Sequence, residues 1–386
     1  MNEASTNQSP TSELAGNESV TGEQRAIIQL SMLPKIGPRT LSGLLERFGT
    51  AKSVLAATGP ELATVQGVGT KLIHTIRTAH HHVDIDSVLK WCHEHDSQIV
   101  FQGYDGYPRQ LDDLVDAPPM LFLRGEITSD DELAVAIVGT RHATHYGLKQ
   151  AERFGYALAK AGVTVVSGLA RGIDAAAHEG ALNGGGRTLA VLGSGLGQIY
   201  PSEHKGLADA VAADGAVISE YGHDAKPRAG MFPQRNRLIA GLSLATLVIE
   251  APDRSGALIT ARMATEQNRE VLALPGNVTN RASRGCNQLI RDGAKLIQTV
   301  DDILEELGPL RESVQTSDGH EVRNASELKL NDLERQVLES IESSSTPIDQ
   351  VITTSGLPAH RVIATISVLE MRRLVRRISG QYVARI

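Results

Sequence analysis

Lys226, Arg228, Arg235 and Arg237 fall within one stretch, 226–237, that holds no acidic residue, and Phe232 stands in its middle. The chain has only five phenylalanines, so one placed among polar and basic residues asks for a reason. Cations pair with phosphates and an aromatic face stacks on a base. A basic groove with an exposed ring is therefore a way to hold a single-stranded nucleic acid. The competing reading makes Phe232 an anchor packed beneath the stretch. Arg141 and Arg171 add positive charge elsewhere, each beside glycine: Gly139-Thr140-Arg141 and Ser167-Gly168-Leu169-Ala170-Arg171-Gly172-Ile173-Asp174. Gly193-Ser194-Gly195-Leu196-Gly197, Ser255-Gly256 and Pro275-Gly276-Asn277 extend the pattern. Glycine lets backbone approach an anion closely, and exposed N–H groups together with arginine bind it. Glu220 and Glu250 offset some of this charge; a glutamate at a strand end can hold an arginine in place.

Other chemistries are poorly supplied. There is no GxxxxGK[ST] phosphate loop, and no GxGxxG follows the first predicted strand, where Gly139 is next matched by Gly147. The GxGxG at 193–197 is weak alone. His178-Glu179 lacks HExxH spacing, and the runs His80-His81-His82 and His93-Glu94-His95 read as solvated faces. Ser167 and Ser194 have no evident His/Asp partner. Cys92 and Cys286 are the two cysteines and stand far apart, so neither a CxxC site nor a disulfide framework is expected. No metal and no cofactor is expected. A nucleotide-binding hydrolase or lyase using Glu250 or Asp174 as acid and base is the alternative that a sheet of this kind permits.

The elements that position these residues follow from periodicity. Short apolar or β-branched runs occur at 135–138, 163–166, 189–192, 216–219, 245–250, 271–274 and 295–297. Between them lie helical patterns at 148–160, 173–182, 203–213 and 257–268. Strand–helix alternation with strands apolar on both faces predicts a doubly wound parallel sheet. In such a sheet ligands bind beyond the carboxyl ends of the strands, where the glycine, Ser/Thr and Arg loops fall. Residues 220–237 read as one long loop. Upstream, 83–130 reads as a bridge with a helix at 84–95, an apolar run Ile99-Val100-Phe101, and a turn-rich stretch closing on Pro118 to Leu123.

Both flanks differ in pattern. Residues 1–20 are polar and read as a disordered tail without signal-peptide character. Residues 21–82 are helical, with glycine turns at Leu33–Pro38 and Val65–Lys71 of helix-hairpin-helix form. Their N–H groups suit a DNA phosphate, or the unit only spaces or dimerises. Residues 308–328 are acidic and Ser/Gly-rich and read as a linker. Residues 329–386 show helices at 331–343, 347–354 and 358–372 and a closing strand–turn–strand, the pattern of a winged helix. Arg372, Arg373, Arg376 and Arg377 cluster there, for duplex DNA, a protein contact or solvent; a duplex-binding regulator is the reading this tail alone would favour. Across 386 residues the composition is 41% hydrophobic, 22% charged and 3% aromatic with 37 glycines, which suits a glycine-looped α/β protein. No apolar run is long enough for a membrane span, and without an export signal the expected compartment is the cytoplasm. The net charge of -7 argues against bulk electrostatic binding to nucleic acid and leaves local basic patches open.

Several motifs occur in a particular order. Gly139-Thr140-Arg141…Tyr146-Gly147 and Ser167-Gly168-Leu169-Ala170-Arg171-Gly172-Ile173-Asp174…His178 come first. Phe232-Pro233-x-Arg235-Asn236-Arg237-x-Ile239-Ala240-Gly241-Leu242-Ser243, Ser255-Gly256-x-Leu258-Ile259-Thr260-Ala261 and Leu274-Pro275-Gly276 follow. This order, over about 83–307, resembles the DprA/Smf family of DNA-processing proteins. The resemblance implies an extended Rossmann-like domain at 83–307, flanked by a SAM-like helical domain and a winged-helix tail. It implies a non-enzymatic protein that binds single-stranded DNA without sequence preference and protects it in natural transformation and recombination. It also implies loading of the RecA recombinase past single-strand-binding protein, and dimers formed through the central domain. By position, Gly139, Thr140 and Arg141 would hold backbone phosphate, with Ser167, Gly168, Arg171, Ser255 and Gly256 on neighbouring strand-end loops. Lys226 or Arg228 would supply the loop charge, Phe232 would stack on a base, and Arg235, Asn236 and Arg237 would line the pocket. The family usually has serine where Thr140 stands, and often a basic residue where Gln234 stands.

Overall fold

The computed structural model describes residues 20–307, 309–315, 321–372, 374–379 and 381–386. The tail expected over 1–20 lies outside them except for Val20. The chain divides into two compact units between Asp86 and Ser87. The first contains α1 (Gly22–Ser31), α2 (Pro38–Phe48), α3 (Ala51–Ala56), α4 (Gly59–Leu62) and α5 (Thr70–Arg77). Thr21 and Gln24 cap α1 reciprocally. Leu30, Leu44, Val54, Leu62 and Ile76 fill its core. The two glycine turns lead directly into α2 and α5, with Gly37 and Gly69 as N-caps that offer no side-chain acceptor.

Helix α6 (Ile85–Glu94) carries the division, and the second unit builds a nine-stranded sheet. Its strands are β1 (Ser97–Phe101), β2 (Met120–Gly125), β3 (Ala134–Val138), β4 (Thr164–Ser167), β5 (Thr188–Val191), β6 (Gly215–Ser219), β7 (Ala245–Val248), β8 (Glu270–Ala273) and β9 (Lys295–Leu296). The order is β1-β2-β6-β5-β4-β3-β7-β8-β9. Strands β3 to β9 pair in parallel, while β1 and β2 add antiparallel beyond β6. The helices between them are α7 (His145–Lys160), α8 (Ile173–Asn183), α9 (Lys205–Ala213), α10 (Met231–Gly241), α11 (Gly256–Glu266), α12 (Arg284–Arg291) and α13 (Val300–Leu307).

Strand β3 shows why both faces are apolar. Ala134, Ala136 and Val138 pack with Leu238 and Ile239 of α10 and Ala257 and Ala261 of α11. Val135 and Ile137 pack with Phe154 and Leu158 of α7 and Ala177 of α8. The side-chain period of two feeds a separate core on each face. Helices α7 and α8 meet through glycine: a Cβ on Gly155 would lie 2.4 Å from the Ala177 carbonyl oxygen, and one on Gly180 would lie 2.3 Å from that of Glu152.

Two readings of the sequence are corrected. Residues 220–237 are not one loop, because α10 begins at Met231. Its inner face, Leu238 to Ala240, supplies apolar burial that offsets the poor helical look of the Phe-Pro-Gln-Arg start. The expected linker carries the antiparallel pair β10 (Pro309–Gln315) and β11 (Glu321–Asn324). Val322 of β11 is buried beside Leu133, with Leu244 and Leu328 packed against them. Residues 308 and 316–320 of that segment lie outside the described ones.

The last domain holds α14 (Asp332–Glu339), β12 (Thr346–Pro347), α15 (Ile348–Ser355), α16 (Ala359–Met371), β13 (Val375–Ser379) and β14 (Tyr382–Arg385). The strands order as β12-β14-β13 against the helices, a winged helix. Its basic cluster is partly neutralised: Arg372 pairs with Glu334 at 3.3 Å and Arg377 with Glu370 at 3.2 Å. Arg373 lies outside the described residues. No helix among the described residues is long and apolar enough to cross a membrane.

The α7–α8 contact yields a stability test. Gly180→Ala gains helix propensity of roughly 1 kcal/mol. It also forces two backbones apart, so a net loss of about 1–3 kcal/mol is expected. Urea denaturation of the variant against the wild type measures the sign.

Candidate functional site

A cleft of about 750 Å³ opens beyond the carboxyl ends of β3 and β7. The strand order reverses there, with β4 on one side of β3 and β7 on the other. The loop after β3 forms one wall. Its Thr140 N–H donates to the Glu250 carbonyl at 2.7 Å, and its Thr140 hydroxyl accepts from the His142 N–H at 3.2 Å. Thr140 is buried and Arg141 exposed, and both line the cleft. Gly139 admits no side chain, since a Cβ would sit 2.4 Å from Ile173.

Glu250 fixes the far end of the same loop. It is 1% exposed, and its carboxylate accepts the Thr144 N–H at 2.9 Å and the Thr144 hydroxyl at 2.6 Å. The Thr144 hydroxyl oxygen in turn accepts the Gly147 N–H, capping α7. A Cβ on Gly147 would meet that carboxylate at 2.3 Å, so glycine is required. The residue that the alternative reading would make an acid or base is therefore a buried clamp.

The opposite wall comes from the start of α10 and of α11. Phe232, Pro233, Arg235 and Asn236 line the cleft with Arg254, Ser255 and Gly256. The Ser255 hydroxyl caps α11, and the Asn236 amide donates to the Gly256 carbonyl at 3.4 Å, tying the two helix starts together. Phe232 is not an open ring: the Arg141 guanidinium lies over it, 4.9 Å from the centroid. Lys226 and Arg228 are exposed on the approach to α10, while the residues alternating with them, Pro227 and Ala229, line the cleft.

The structure separates residues that the sequence places together. Arg237 does not line the cleft: it is buried, paired with Glu220 at 2.6 Å and Asp116 at 3.3 Å. Burial is the main reason the Glu220 carboxyl is raised, with Arg237 opposing. Arg235 reaches the cleft floor but is 3% exposed, donating to the carbonyls of Gly168 and Val191. Burial lowers its guanidinium to about 10, with Asp174 opposing. Ser167 is buried and its hydroxyl donates to the Ile137 carbonyl at 2.6 Å, away from the cleft. Gly168 and Arg171 border a small side pocket with Arg141, Tyr200 and Phe232. Arg171 pairs there with Glu203 at 2.5 Å. The 193–197 glycine run packs under the 222–223 turn rather than lining the cleft: a Cβ on Gly195 would sit 2.1 Å from the Gly222 oxygen. Arg254, His142 and Tyr200 were not singled out from sequence. Arg254 sits one residue before Ser255 in the loop after β7, so only the strand-end rule could have found it.

Asp174 also lines the cleft, its carboxyl raised by burial although Arg235 opposes the shift. His178, one helical turn on, is completely buried, its Nδ1 2.7 Å from the Thr188 hydroxyl. Burial depresses it from 6.5 to about 3. A depressed histidine is neutral in the fold while the unfolded chain takes up a proton below pH 6.5. Its contribution to stability is present above that pH and is lost as pH falls toward 3. Asp174 and Glu220, being raised, act in the opposite sense. His178→Asn is therefore expected to remove about 2 kcal/mol of the acid loss between pH 7 and 5. Urea midpoints at the two pH values in wild type and variant check it.

Comparison with known proteins places this arrangement. Residues 98–308 match the family described as DNA recombination-mediator protein A, and residues 321–381 match the DprA winged helix domain. Protein Smf of Synechocystis is 34% identical over 93% of this chain and 98% of its own length. The X-ray structure of DNA processing protein A from Streptococcus pneumoniae is 34% identical and superposes with a TM-score of 0.63, covering 74% of this chain and 98% of that one. DNA processing protein A of Helicobacter pylori, solved for its single-stranded DNA binding mode, is 31% identical at a TM-score of 0.50, covering 55% of this chain and 95% of that one. With a mostly parallel sheet, a switch-point cleft and a winged-helix end, the chain belongs to the DprA/Smf family of DNA recombination mediators.

Proposed function

We propose that the protein binds single-stranded DNA in the switch-point cleft, without sequence preference, and loads the RecA recombinase onto it past single-strand-binding protein. The observation that carries this reading is the pairing of exposed Arg141 and Arg254 with glycine-rich backbone and an aromatic wall in one open cleft. Phosphates meet the guanidinium groups and the start of α11 at Gly256, and no base edge is read, so affinity follows the backbone. Lys226 and Arg228 extend the positive track beyond the mouth. The Helicobacter pylori relative, whose single-stranded DNA binding mode has been described, supports the same use here. The protein acts in the cytoplasm as a homodimer, protecting strands during transformation and recombination, and works by binding rather than turnover.

Asp174, raised and at the cleft, favours the second reading, a nucleotide hydrolase or lyase. It faces Arg235 from the floor, whereas Glu250 is committed to Thr144. Among the described residues no second carboxylate lines the cleft. Incubation with nucleoside monophosphates and short oligonucleotides is expected to return them unchanged. Turnover abolished by Asp174→Asn would replace the binding reading with the enzymatic one.

Two binding outcomes are expected. In a salt series with a fluorescent oligo-dT, Arg141→Ala should weaken binding and reduce the slope of log K against log salt by about 0.7, one phosphate contact on a single strand. Its unfolding free energy should fall by no more than about 1 kcal/mol, the size of the lost cation–π contact with Phe232. In a competition assay, single strands should displace duplex, and the protein should speed RecA assembly on strands precoated with single-strand-binding protein. Equal affinity of Arg141→Ala and wild type would sink the site; no effect on RecA would sink the mediator step.

A further inference from the structure

Phe232 is half-buried, and part of its ring is already occupied. Arg141 covers its ring, and a Cβ on Gly193 would lie 2.7 Å from its Cδ1, so one edge runs against backbone. A base stacking on Phe232 would first have to displace the arginine and lose the cation–π contact. Its third neighbour is another ring. Tyr200 lies with its centroid 5.6 Å from that of Phe232, the planes tilted by 49°. Tyr200 is 39% exposed and borders both the cleft and the small side pocket. It shares the side pocket with Arg171, itself exposed and paired with Glu203. The rim therefore runs Arg171, Tyr200, Phe232, Arg141: two cations flanking two rings, of which Tyr200 is the exposed one.

We propose that Tyr200 is the base platform of the cleft, stacking on a nucleobase of the bound strand, while Phe232 serves as the wall that holds Arg141. The proposal rests on the single-strand reading of the same cleft. Stacking is tolerant of sequence because every base has a π face. Arg171, lining the side pocket next to Tyr200, sets a guanidinium near the phosphate that follows the stacked base. Arg171 thus joins the site through Tyr200 rather than through the main cleft.

The test uses the full chain, two labelled strands of equal length, oligo-dT and an abasic backbone, and low salt so that phosphate contacts hold both. Tyr200→Ala is expected to bind oligo-dT about ten-fold more weakly, the size of one lost stacking contact. It should bind the abasic strand as wild type does. Tyr200→Phe, which keeps the ring and loses the hydroxyl, should match wild type on both. Three results would overturn the proposal: Tyr200→Ala binding oligo-dT as wild type does; an equal loss on both strands, which marks a structural role; or Tyr200→Phe losing as much as Tyr200→Ala. Failure of the wild type to bind oligo-dT at all would instead remove the single-strand reading, and this inference with it.

Discussion

One residue pins the loop on which the cleft depends. Glu250 follows β7, accepts the Thr140 N–H on its main-chain oxygen, and holds Thr144 with its carboxylate. Arg141 stands between those two points. A loop held at both ends loses little further freedom when an anion arrives, so the cost of ordering Arg141 falls on folding rather than on binding. The clamp also explains local composition. Gly139 and Gly147 are the places where backbone or carboxylate comes too close for any Cβ.

Positive charge near the cleft divides into two kinds by burial. Arg235 and Arg237 are struts: the first joins the ends of β4 and β5 through the carbonyls of Gly168 and Val191, the second is locked to Glu220 and Asp116. Removing one partner from a buried pair leaves the other unpaired at a cost of several kcal/mol. Arg141, Lys226, Arg228 and Arg254 are exposed. They leave charge available to a polyanion despite the net charge of -7. Four cations that look equivalent over twelve residues of chain thus serve two unrelated purposes.

Much of the fold was legible. The β-branched runs from Val135 to Leu274 and the helices between them sit close to their expected positions, because a strand buried on both faces has few compositions open to it. The start of α10 was not legible: Phe232, Pro233, Gln234 and Arg235 look like loop, and the helix is held by burial of residues further along. The β10–β11 pair hid in an acidic, Ser/Gly-rich stretch, its buried Val322 supported by Leu133, Leu244 and Leu328 from elsewhere in the chain. The winged-helix arginines read as a patch, yet Arg372 and Arg377 find acidic partners on α14 and α16.

The sequence by itself determined the alternation that makes a parallel sheet, the gathering of glycine, threonine and arginine at strand ends, and the family to which those motifs belong. These are local properties, set by side-chain period and backbone freedom. Only the tertiary structure decided which arginines face solvent, that Glu250 is a clamp, that Phe232 is covered by Arg141, and that Tyr200 is the open ring beside it. Those outcomes depend on what lies opposite a side chain in space, set by residues tens to more than a hundred positions away in the chain.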